Sequence, residues 1–121
     1  MRLTNEQAFI KLDLDRCKEP DMETIRRRIE RAGYSMDHVL VSCPSPSGTG
    51  WHLVIEVKPR PAHPMEVVAL QSICGSDPYR EAMQMHRARA FPFAAVWMRD
   101  TWNVLYRAHP KRQRHVKLKG V

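Results

Sequence analysis

The segment AFIKLDLD, residues 8–15, alternates without a break. Ala8, Ile10, Leu12 and Leu14 fall on one side of an extended chain, and Phe9, Lys11, Asp13 and Asp15 on the other. Side chains of a strand alternate between faces with a period of two, so this order predicts a strand with one apolar, buried face. The same alternation sends both carboxylates to the opposite face, close to one another.

The elements on the C-terminal side follow from this strand. Pro20 and Asp21 open a helix that runs to about residue 32, with Met22, Ile25, Ile29 and Ala32 as its apolar stripe and Arg26, Arg27, Arg28 and Arg31 largely outside it; Gly33 stops it. HVLVSC, residues 38–43, reads as a second strand, and residues 51–57 as a third. Between them lies a turn rich in Pro, Ser and Gly, so a hairpin is expected. After the loop KPRPAHP, residues 65–73 read as a helix broken at Cys74-Gly75-Ser76, and Asp77-Pro78 starts another helix to about residue 90. Residues 93–106 read as two strands turning near Asp100.

The order βαββ, then helices, then β-rich predicts an α+β fold: an antiparallel sheet with helices on one face, ferredoxin-like or RNA-recognition-motif-like. The second sheet face is expected to be open. Residues 1–108 form one domain in this reading, and residues 109–121 a basic tail.

At 121 residues the chain has room for one core, and a 43% apolar fraction argues against disorder throughout. No apolar run approaches the roughly 20 residues a spanning helix needs, and the N-terminus lacks a signal-like apolar stretch. A soluble, intracellular protein with no membrane partner is expected. Cys17, Cys43 and Cys74 are too few and too scattered for a disulfide framework or a zinc knuckle, and read as reduced thiols, two of them in the core.

Twenty Lys and Arg against 13 Asp and Glu give a net charge of +7. From Arg107 onward the chain carries Lys111, Arg112, Arg114, Lys117 and Lys119 and no acid. Such a segment attracts nucleic-acid phosphates without sequence preference, or serves as a solubilising tail.

Paired carboxylates on one strand face repel unless a cation lies between them, and Mg²⁺ or Mn²⁺ suits their hard oxygens. In the third strand Leu53, Ile55 and Val57 point to the core, which sends His52, Val54 and Glu56 to the face of Asp13 and Asp15. The preceding turn offers the hydroxyls of Ser45, Ser47 and Thr49. Gly48 and Gly50 have backbone N–H groups that a phosphate can approach closely.

Asp13-Leu14-Asp15 at the end of a hydrophobic strand resembles the first motif of the archaeo-eukaryotic primase superfamily. Ser47-Gly48-Thr49-Gly50-Trp51-His52, leading into Leu53-Val54-Ile55, is similar to that family's second motif, a small-residue turn closing on a histidine. The resemblance spans residues 8–90 and is carried by these two motifs. It implies a primase-type palm and a metal-dependent nucleotidyltransferase acting in DNA replication. Asp13 and Asp15 would be ligands of Mg²⁺ or Mn²⁺, and Ser47, Gly48, Thr49 and His52 would bind the triphosphate. The expected partners are a nucleoside triphosphate, a DNA or RNA template or primer, and other replication proteins. A cytoplasmic setting, prokaryotic or encoded by a virus or mobile element, is implied as well.

The family needs a third acid. Asp77, in Gly75-Ser76-Asp77-Pro78-Tyr79-Arg80, fits both that role and an ordinary helix N-cap; Glu56 is the reserve. Asp77, Arg80, Gln84 and Arg87 share one face of the helix that follows, where Arg80 and Arg87 would clamp phosphates, or else form a solvated side opposite Tyr79, Met83 and Ala90. No helicase or zinc-stem region accompanies these motifs, so a minimal core, or one that keeps binding without catalysis, is in view. A non-catalytic nucleic-acid-binding module is the alternative. A replication nickase of the two-histidine type ranks lower, because His52-Leu53-Val54 supplies one histidine where two are needed.

Overall fold

The alternation over residues 8–15 folds as read up to Leu14. In the computed structural model, which describes residues 8–46, 48–90, 103, 106–108 and 115–117, strand β1 spans Ala8–Leu14 and buries Ala8, Ile10, Leu12 and Leu14. Helix α1, Met22–Arg31, starts where Asp21 caps it: Oδ1 accepts from the Glu23 and Thr24 N–H groups, and Oδ2 from the Thr24 hydroxyl. Those donors hold the Asp21 carboxyl below the usual carboxylate range, the Thr24 hydroxyl most of all. The helix ends with Gly33 at φ 93, a conformation that glycine adopts without strain, and with the Tyr34 N–H donating back to Ile29 O.

Strands β2 (Ser35–Pro44) and β3 (Trp51–Lys58) form the expected hairpin, with β2 three residues longer at its start than its apolar run suggested. The sheet order is β1-β3-β2, antiparallel throughout. Helix α2, Pro64–Ile73, is capped by His63, whose Nδ1 accepts from the Met65 N–H. Helix α3 spans Pro78–Ala90. A second, two-stranded antiparallel sheet pairs β4 (Tyr106–Ala108) with β5 (His115–Lys117), so the basic C-terminal stretch contains a strand. The two strands expected over residues 93–106 fall mostly outside the described residues.

The chain is thus α+β, with a three-stranded antiparallel sheet and three helices among the described residues. Ile25 and Ile29 of α1, Val67, Val68 and Leu70 of α2, and Cys74 just after α2 join Ile10, Leu12, Leu53, Ile55 and Val57 in one core. Burial pushes the Cys74 thiol up to about 11, so it behaves as a small apolar side chain at neutral pH. Cys17 packs against the same core. No described helix is long and apolar enough to cross a membrane.

Two expectations are corrected. The face opposite this core is not open: Lys11 is 6% exposed, His52 3%, Val54 0% and Glu56 2%. β3 is the central strand and is covered on both sides. Helix α3 also turns the other way. Glu81, Gln84 and Ala88 are its buried residues, while Tyr79 and Met83 stand in solvent. The physical reason lies in what α3 packs beside, the outer edge of β1.

Candidate functional site at the end of strands β1 and β3

β1 is an edge strand, and an unpaired edge presents backbone N–H and C=O groups that need partners. Helices α2 and α3 and the turn between them supply these partners, three through side chains and one through a backbone N–H. The Lys11 N–H donates to Gln71 Oε1 (2.9 Å), and the Asp13 N–H to Ser76 Oγ (3.0 Å). Lys11 O accepts from Arg80 Nη1 (3.0 Å), and Asp13 O from the Asp77 N–H (2.6 Å). Behind this row the polar groups satisfy one another. Glu81 accepts from Gln71 Nε2, from the Ser76 hydroxyl and from Arg80, and Asn103 bridges Gln71 and Arg80. An apolar side of α3 could supply neither the Arg80 donor to Lys11 O nor the Glu81 acceptor behind it, so the polar side of α3 is the one that faces inward.

That edge decides the geometry of Asp13. Its N–H and C=O both point away from β3, so Asp13 and its partner His52 form a non-hydrogen-bonded pair of the antiparallel ladder. Such pairs bring side chains closest, with Cα atoms about 4.5 Å apart. His52 Nε2 lies 3.3 Å from Asp13 Oδ1, with the imidazole buried and the carboxylate 29% exposed. The sheet-face expectation for these two residues is met by direct opposition in the register.

Asp15 is placed differently. β1 stops at Leu14, Asp15 is exposed one residue beyond it, and Arg16 takes a left-handed φ of 53. The strand rule that would hold Asp15 beside Asp13 therefore ends one residue too soon, although both stay at the same end of the sheet.

The turn before His52 is closed by Ser45. The Ser45 N–H donates to Gly50 O, the Gly50 N–H to Ser45 Oγ, and the Gly48 N–H to Ser45 O. The two glycine N–H groups expected to face a phosphate are thus bonded within the turn. A Cβ on Gly50 would run into Leu14 O, so only glycine lets this turn approach the end of β1. Thr49 is exposed in the turn, and Ser47 lies outside the described residues.

Asp77 contributes its backbone to Asp13, while its side chain caps α3 by accepting from the Tyr79 N–H (3.2 Å). Arg80 reaches the same corner, but its guanidinium is directed into the Glu81–Asn103 network, and burial pulls its pKa down against the opposing pull of Glu81. Arg87 is half-buried two turns further along α3. Glu56, the reserve acid, lies at the other end of β3 beside His38. Lys117 opposes Tyr106 in the small sheet; Lys111, Arg112, Arg114 and Lys119 lie outside the described residues.

Among the described residues, Asp13, Asp15 and Asp77 do not form a three-ligand set at metal-binding spacing. The donor set at this corner fits a cation held by one or two carboxylates together with a ligand's phosphates, which is how Mg²⁺ is usually bound, and does not fit an all-protein cage. Asp37, His38, Gln71, Ser76, Glu81 and Asn103 were not singled out from sequence. Pairing register and edge capping, which join distant segments, are what reveal them. Comparison with family models, with curated proteins and with solved structures finds no match.

Proposed function

We propose that the chain is a metal-dependent nucleotidyltransferase of primase type, its sheet serving as a small ferredoxin-like palm. The observation that carries this reading is the Asp13–His52 pair, directly opposed and 3.3 Å apart at the sheet end where Asp15 and the Gly48–Gly50 turn also lie. The two motifs that resemble the primase superfamily converge there from segments far apart in the chain.

Asp13 and Asp15 are the residues that would hold Mg²⁺ or Mn²⁺, shared with the triphosphate of an incoming nucleotide. When bound, the ion neutralises phosphate charge and stabilises the departing pyrophosphate. His52, which the resemblance makes a triphosphate ligand, is buried and paired through Nε2 with Asp13, so in this scheme it is a positioning residue that holds the Asp13 carboxylate in one orientation and leaves its other oxygen for a ligand. The basic residues from Arg107 onward would hold a DNA or RNA template by its phosphates.

A second reading is favoured by a specific observation. Asp77 is engaged as a helix cap and Arg80 as an internal tie, which leaves two carboxylates at the corner and suits a nucleic-acid-binding module without catalysis. Primer synthesis and extension with Mn²⁺, comparing wild type with Asp13→Asn and Asp15→Asn, separates the two. Loss of a metal ligand worth several kcal/mol predicts a drop of about a hundredfold or more in incorporation with folding retained. Absence of incorporation by wild type, with template binding intact, selects the second reading.

A further inference from the structure

Asp37 and His38 are adjacent in β2, and in a regular strand their side chains would leave on opposite faces. The register slips between them and β3. Met36 pairs with Val57 and His38 with Glu56, so Asp37 is the extra residue of a β-bulge. Bulges re-aim side chains. Here the ligand atoms of Asp37, His38 and Glu56 all lie within 4.8 Å of one another.

A separate observation concerns the floor of this cluster. The Glu56 side chain is 3% exposed; its Oε1 lies 2.8 Å from His38 Nδ1, while Oε2 is buried with no hydrogen-bond partner. A buried carboxylate oxygen without a donor is strongly unfavourable, and a bound cation removes that penalty. Above the floor the cluster opens to solvent, with His38 and Asp37 both exposed. Lys58 Nζ lies 2.9 Å from Asp37 Oδ2, so one of the two Asp37 oxygens is engaged by an ammonium group.

We propose that Asp37, His38 and Glu56 form a binding site for Zn²⁺ or a similar first-row divalent cation. One imidazole nitrogen and two carboxylates make three protein ligands with a fourth position open to water, and the imidazole favours Zn²⁺ over Mg²⁺. The cation would sit between His38 Nδ1 and Glu56 Oε1, in place of the 2.8 Å contact that joins them. Glu56 is four residues from His52 along β3, about 13 Å at strand rise, so this site is distinct from the Asp13 corner and stands whether or not that corner is catalytic.

Titration calorimetry of the full chain with Zn²⁺ tests it. One ion per chain is expected, with affinity lowered about tenfold or more in His38→Ala and in Glu56→Gln, and unchanged in Asp13→Asn. His38 is exposed, so His38→Ala stays informative even where Glu56→Gln fails to fold. Zn²⁺ binding that His38→Ala leaves intact, or a wild type that takes up no Zn²⁺, overturns the proposal.

Discussion

Asp13 and His52 meet because of backbone groups that neither side chain touches. The Ser76 hydroxyl and the Asp77 N–H occupy the Asp13 backbone on the outer edge, and the ladder then places His52 at the close-pair spacing. Gly50 is the other residue on which this corner depends. Gly50→Ala drives a methyl group into Leu14 O, a backbone atom that cannot turn aside, and is expected to destabilise by about 1–3 kcal/mol, as overpacking does. Gly48→Ala meets nothing within 4 Å but must hold a φ of 75, which costs about 1–2 kcal/mol. Urea midpoints of the two variants check both; a Gly50→Ala midpoint equal to that of wild type would show that the turn does not press on β1. The alternation and the glycine-rich turn made Asp13, His52 and this turn readable in sequence. Asp37 was not readable, because a bulge breaks the very alternation by which strand residues are assigned to faces.

At the level of elements, β1 and α1 lie where their apolar spacing and caps put them, while α3 starts and ends as read but is rotated relative to the face its composition suggests. Tyr79 and Met83 look like core residues, and Glu81 and Gln84 look like surface, until the edge of β1 is considered. That edge asks for hydrogen-bond partners, and a single chain's local pattern carries no record of which element will be asked. The resulting network is sensitive. Glu81→Ala leaves the Arg80 guanidinium buried without its counter-charge, and removal of one partner of a buried pair typically costs about 3–5 kcal/mol. Glu81→Gln keeps the shape and part of the hydrogen bonding, and is expected to lose less. Denaturant unfolding monitors both; a Glu81→Ala variant as stable as wild type would mean that the edge of β1 is held by other contacts.

For the whole molecule, α+β architecture and hairpin order were legible, while the burial of His52 and Val54 on the second sheet face was not, since strand alternation assigns residues to faces but does not say whether a face is covered. Charge is the other whole-molecule property. With Lys111, Arg112 and Arg114 changed to Gln, the log–log salt dependence of single-strand binding is expected to flatten by about 2, at roughly 0.7 per neutralised phosphate contact; an unchanged slope would move the contact surface elsewhere. The central claim, that the corner of Asp13, Asp15 and His52 receives a nucleotide with its metal, is tested most directly by amide NMR spectra of the full chain with a nucleoside triphosphate and trace Mn²⁺. Paramagnetic broadening is predicted to be strongest at Asp13, Leu14, Asp15 and the Gly48–Gly50 turn. Sharp signals at all of those positions, with broadening confined to other parts of the chain, would contradict the account.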